Sequence, residues 1–276
     1  KQRNHIIGYH KKTITTFMKE NNLKMENKTI YDSEVSLLDS LRQTYPDEIR
    51  DLLVDDGLCW AAISNELPDT ENNNWPECLW TNSERRVLFL LKEPNRNERE
   101  DYKDWDWSEG SGTFGNVLAY WLEGLMRTTK QYCPSYDDIS SRKDIFKKYP
   151  LAIVNLKKVA GGSSANWNTI WKYAERDKPF LRTQIREIIK PNIIVCGGSN
   201  DNEIIFRKVL SIALECIFPD IKDGFKKINN WCYYNTEKDI VLIDSYHPSS
   251  RMNEREKIEG LINGFHDFIL KSNYSH

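Results

Sequence analysis

Four short, largely apolar runs mark the later two thirds of the chain: Val87–Leu91, then residues 151–155, 192–196 and 240–244. None alternates between apolar and polar positions. Each therefore predicts a strand covered on both faces, as in a parallel sheet. Between them, apolar positions recur at helical spacing. Residues 115–127 place Val117, Leu118, Trp121, Leu122 and Leu125 on one side, and residues 178–190 group Phe180, Leu181, Ile185, Ile188 and Ile189. A further helix is predicted over 200–218. The last covers Glu254–Lys271, with Ile258, Leu261, Ile262, Phe265 and Ile269 on its apolar stripe and Asn253 and Glu256 as a capping box.

Strands alternating with helices predict an α/β fold: a central, mostly parallel four-stranded sheet, doubly wound, flanked by helices. The first 81 residues read differently. Ser33 followed by Glu34 and an amphipathic Val35-Ser36-Leu37-Leu38-Asp39-Ser40-Leu41 predicts a capped helix. Helical character resumes over 47–54, and 68–75 reads as a loop. The expected organisation is a mainly helical N-terminal region, 1–81, followed by an α/β domain, 82–276.

The 276 residues are 39% hydrophobic and 29% charged, which excludes a wholly disordered chain. No apolar run approaches the roughly 18 residues of a membrane helix, so no membrane partner is expected. No signal-type apolar core follows Lys1-Gln2-Arg3-Asn4-His5. Six cysteines, none in C-x-x-C spacing, predict free thiols in a reducing, intracellular, cytoplasmic setting, with no zinc ribbon. Net charge is −2, but residues 1–80 carry 9 basic and 14 acidic side chains against 30 and 27 in the rest. A basic groove in the later part is compatible with these numbers and is not required by them.

Ligands of such sheets bind beyond the carboxyl ends of the strands, where four segments offer chemistry. Glu93 precedes Pro94, whose fixed φ stiffens the turn; the carboxylate is either a held catalytic group or a solvated turn residue. Asn155 closes Ala152-Ile153-Val154 and is either a turn former or an amide that reads a base edge. Gly197-Gly198-Ser199 allows close approach of helix and sheet. His247, in Tyr246-His247-Pro248-Ser249-Ser250-Arg251, either caps its turn or donates to a developing anion. No Gly-x-Gly-x-x-Gly or Gly-x-x-x-x-Gly-Lys-Ser/Thr pattern is present, which counts against an ordinary dinucleotide or P-loop protein.

Together these segments resemble the uracil-DNA glycosylase superfamily. The resemblance runs from Val87 to about Lys271 and rests on Leu91-Lys92-Glu93-Pro94, Val154-Asn155-Leu156-Lys157-Lys158, the helix leading into Lys190-Pro191 and a strand ending at Gly197, and His247-Pro248-Ser249. It is closest to the bacterial and archaeal iron–sulfur branch, whose cluster cysteines have no counterpart pattern, so no cluster, metal or cofactor is expected. The resemblance implies a glycosylase that flips a pyrimidine out of DNA and hydrolyses its N-glycosidic bond, leaving an abasic site; no Lys is clearly placed for Schiff-base chemistry, so a monofunctional enzyme is expected. It implies catalytic roles for Glu93 and His247, and base contacts from Asn155, Phe114 and Asn95. DNA contacts would come from Lys157, Lys158, Ser249, Ser250, Arg251 and Met252.

Two departures matter. Leu91 stands where the family motif has Gly. Asn95 stands where the strictest uracil enzymes have a Tyr that blocks a 5-substituent. The alternatives are a glycosylase for modified pyrimidines of foreign, phage DNA, and a catalytically silent nucleic-acid- or nucleotide-binding member of the fold.

Overall fold

The computed structural model describes residues 29–59, 75–94, 112–139, 142–161, 166–199, 208–274 and 276. The chain begins with α1 (Ile30–Gln43) and a short α2 (Asp47–Arg50). Then come β1 (Gly57–Leu58), α3 (Trp75–Asn82), β2 (Val87–Leu91), α4 (Thr113–Arg127), α5 (Arg142–Lys148) and β3 (Ala152–Asn155). They are followed by α6 (Trp167–Arg182), β4 (Ile193–Ser199), α7 (Lys208–Ile212), β5 (Lys226–Lys227), β6 (Cys232–Asn235), β7 (Ile240–Tyr246) and α8 (Glu254–Lys271).

The sheet has seven strands in the order β1-β3-β2-β4-β7-β6-β5. The four expected strands are its contiguous parallel block, β3-β2-β4-β7. The expected four-stranded sheet is thus corrected to a mixed one, because β1, β5 and β6 add antiparallel pairs at the edges. Those strands are two to four residues long, too short to carry a period.

Every residue of β2 is buried. Val87, Phe89 and Leu91 face one core with α4, α5 and α8, including Val117, Trp121, Phe146 and Phe265. Leu88 and Leu90 face the other, with Ile170, Ala174, Leu181, Val209 and Phe218. Unbroken apolarity in the sequence thus corresponds to helices on both faces.

The boundary expected at 81 does not divide two cores. β1 pairs with β3 through Gly57↔Ile153 and Leu58↔Ala152. Leu37, Leu38 and Leu41 of α1 pack with Phe180 and Ile188. α1 starts earlier than expected, with Thr29 as its N-cap accepting from the Asp32 amide at 3.0 Å, and Ser33 lies inside it. α2 stops at Arg50, short of the expected 54.

The helix expected over 178–190 begins at Trp167, where Asn166 caps it by accepting from the Thr169 amide. Its final stretch, Thr183–Ile189, winds in wider turns, and Lys190 bonds back five residues to the Ile185 carbonyl at 2.9 Å. Of the helix expected over 200–218, residues 208–217 are helical and 200–207 lie outside the described residues. α8 keeps its expected bounds, and of the expected capping box the N-cap half is present: Asn253 accepts from the Glu256 amide at 3.2 Å. No helix among the described residues is long and apolar enough to cross a membrane.

Candidate functional site

The parallel block brings the carboxyl ends of β2, β3, β4 and β7 to one edge of the sheet. The chain runs from β2 to β3 on one side and then to β4 on the other side of β2. That reversal is a topological switch point, and ligands of open α/β sheets bind beyond the carboxyl ends at such a point. Glu93 follows β2, Asn155 ends β3, Gly197 and Gly198 lie near the end of β4, and His247 follows β7. Phe114 enters from the first turn of α4, its ring centroid 6.1 Å from that of His247.

Glu93 is nearly buried, as is the Lys157 ammonium that is ion-paired with its Oε2. Lys157 also lies over the Tyr173 ring, 5.5 Å from its centroid. The Gly161 amide donates to the Pro94 carbonyl at 2.8 Å. A Cβ on Gly161 would sit 2.3 Å from the Glu93 carboxylate, so a side chain there would push the carboxylate from its place. Lys92 points to different company: its ammonium is 5.8 Å from the centroid of the Trp167 ring. Burial pushes Lys92 below the ordinary lysine range, opposed by the adjacent Glu93 charge.

Asn155 is fully buried. Its side-chain amide donates to Asp56 Oδ2 at 3.1 Å, and its backbone amide donates to the same oxygen at 2.7 Å. Its Oδ1 is buried with no hydrogen-bond partner. Ser245 Oγ and Ser250 Oγ, at the end of β7 and in the following turn, are likewise buried without partners. Such orphaned acceptors and hydroxyls are costly in a native structure and mark places where a ligand or water completes the bonding.

His247 starts a turn closed by the Ser250 amide, which donates to the His247 carbonyl at 2.8 Å. The Ser249 amide donates to His247 Nδ1 at 3.2 Å. Nδ1 is therefore the acceptor nitrogen, and a neutral ring carries its proton on Nε2. Burial, reinforced by the charges of Lys92 and Lys257, pushes His247 down to about 3. Lys257, fully buried on α8, donates to the carbonyls of Pro248 at 2.7 Å and Ser250 at 3.1 Å and so fastens the turn.

The expected DNA contacts divide. Ser249 and Arg251 are exposed, and Met252 and Ser250 are half-buried, in the turn between β7 and α8. Lys158 is corrected: it is 2% exposed, ion-paired with Asp56 and bonded to Gln184 Oε1 at 2.8 Å, and so is withdrawn from any surface phosphate. Lys157 is withdrawn in the same way, by its pairing with Glu93. Asn95 lies outside the described residues.

Asp56, Lys257 and Trp167 are site residues that sequence reasoning passed over. For Lys257 a signal existed, since it precedes Leu261 and Phe265 by one and two helical repeats on the apolar stripe of α8. Asp56, in Asp55-Asp56-Gly57, reads only as a turn.

Two cavities of about 670 and 790 Å³ lie elsewhere. The first opens at the amino ends of β2, β4 and β7, lined by Arg86, Lys190, Asn192 and Ile240, and the second beside it at Arg85 and Tyr274. Neither gathers the polar groups that converge at the carboxyl edge. No protein-family model matches this chain, and no curated protein matches it.

Proposed function

We propose that the chain is a DNA glycosylase that removes a pyrimidine, uracil or a 5-substituted relative, from a flipped-out nucleotide. The observation that carries the reading is the meeting at one sheet edge of a carboxylate, Glu93, a buried amide with a free acceptor, Asn155, and a neutral imidazole, His247. β3 and β7 are separated by three strand spacings, about 14 Å at roughly 4.8 Å each. Side chains reaching inward from both leave room for one base ring held at about 3 Å on each side.

In this mechanism the C1′–N1 bond breaks with its electron pair leaving on the base, a water adds to C1′, and the proton that the water gives up balances the one taken up by the departing base. His247 Nε2–H donates to the oxygen on which the base's charge gathers, and one such donor contributes about 3–4 kcal/mol. Glu93 faces the positive character of the sugar and orients the water. Phe114 stacks on the base, which together with the Asn155 bonds offsets the few kcal/mol needed to take it out of the helix. Ser249, Ser250, Arg251 and Met252 sit where the DNA backbone and the vacated stack would lie.

A second reading, a binding module without chemistry, draws support from the Glu93–Lys157 ion pair, which engages one oxygen of the proposed catalytic carboxylate. Oligonucleotides carrying uracil, mismatched thymine or 5-modified cytosine separate the two. Abasic sites on any of them support the glycosylase. Tight binding of these strands with no abasic product supports the silent module.

A further inference from the structure

The Asn155 amide is not held by its own strand. Its orientation comes from Asp56, contributed by the segment before β1. Three N–H groups converge on the Asp56 carboxylate: the Asn155 backbone amide, the Asn155 side-chain amide, and the Lys158 ammonium. An ionised carboxylate only accepts, so the NH₂ side of the Asn155 amide must face it and the oxygen must face away.

Asp56 is itself fixed. Gln184 donates to the Asp56 carbonyl at 2.8 Å and to Glu34 Oε1 at 3.1 Å, while its own oxygen accepts from Lys158. Glu34 Oε2 accepts from the Leu58 amide at 3.2 Å. Gly57, at φ 146°, lets the chain pass: a Cβ there would lie 1.8 Å from Glu34 Oε1. Glu34, Asp56, Asn155, Lys158 and Gln184 are all fully or almost fully buried.

Resting on the glycosylase reading, we infer that Asp56 is a positioning residue that sets base choice, by locking Asn155 with its oxygen toward the pocket. The consequence is chemical. A 4-keto pyrimidine carries an N–H at N3 beside a carbonyl oxygen. Asn155 Oδ1 accepts from the first, and the second amide hydrogen donates to the other. Cytosine presents the reverse order, a bare N3 beside an amino group, and needs the flipped amide. The locked site therefore takes 4-keto pyrimidines and rejects 4-amino ones. The N-terminal segment, outside the stretch that resembles the glycosylase family, thus contributes to specificity.

The test uses Asp56→Asn combined with Lys158→Met, which neutralises both partners and avoids stranding either buried charge. Single-turnover release is compared on strands that differ only in uracil or cytosine. The wild type should prefer uracil strongly. The double variant, with a cooperative melt, should lose at least about tenfold of that preference, because its amide can flip. Equal rate losses on both bases, or an unchanged ratio, would overturn the role of Asp56.

A second readout needs no activity. In the ligand-free wild type, the Asn155 side-chain N–H facing Asp56 should exchange with solvent at least about 100-fold more slowly than that of exposed Asn253. Equal exchange rates would show that no lock exists, even in a protein that releases uracil. Conversely, slow exchange in a protein that releases no base would leave the lock standing as structure and overturn its link to base choice together with the glycosylase reading.

Discussion

The Ser249 backbone amide donates to His247 Nδ1 at 3.2 Å, so the proton of the neutral ring sits on Nε2. The turn that places this amide is fastened from below by Lys257 through the carbonyls of Pro248 and Ser250. Tautomer and position are thus set by the backbone, and the ring arrives as a ready donor. His247→Ala should slow base release by about 10²–10³-fold under single turnover, with DNA affinity little changed. An unaltered rate in the folded variant would reduce His247 to a turn residue.

The same ring makes a prediction about pH. His247 is held at about 3 in the folded chain, against roughly 6.5 when unfolded. Between those values the unfolded chain binds a proton that the native chain does not, so this contribution to stability is complete above about pH 6.5 and is lost as pH falls toward 3. The slope is at most about 1.4 kcal/mol per pH unit. Urea melts from pH 7.5 to 4.5 should show a shallower pH dependence for His247→Gln than for the wild type. Release by the wild type should show no inflection near pH 6.5 from this residue, since the neutral ring is the donor throughout.

Glu93 and Lys157, both about 8% exposed, predict a coupled pair. Lys157→Met leaves a nearly buried carboxylate without its cation and should cost about 3–5 kcal/mol. Adding Glu93→Gln should restore most of the loss. Additive losses in denaturant melts would mean that the two side chains do not depend on each other.

Burial predicts which cations meet DNA. Arg251 is exposed and Lys158 is enclosed with Asp56. Arg251→Ala should lower the slope of log affinity against log salt by about 0.9, the value for one phosphate contact. The Asp56→Asn, Lys158→Met protein should keep the wild-type slope. A slope lowered by the latter and not the former would reverse the assignment of the DNA face.

The parallel block was legible because strands covered on both faces must be apolar throughout, as Val87–Leu91 is. The helix α8 was legible because its stripe and its Asn253 cap agree. The edge strands were not, since two to four residues such as Lys226–Lys227 carry no pattern and owe their conformation to a neighbour. At the site, residues that follow strand ends could be found from the strands alone. What those residues touch could not: Glu93 meets Lys157 across 64 positions and Asn155 meets Asp56 across 99. Lys158 reads as a surface cation for the same reason, because its acidic partner, Asp56, is 102 positions away in the sequence.

The most direct measurement is mass spectrometry of both products after the purified chain is incubated with a uracil-containing oligonucleotide. The account predicts free uracil and a full-length strand carrying one abasic site, with His247→Ala slowing both in step. A folded wild-type chain that binds the strand and yields neither free base nor abasic site, with uracil or with any 5-substituted pyrimidine in its place, would contradict it.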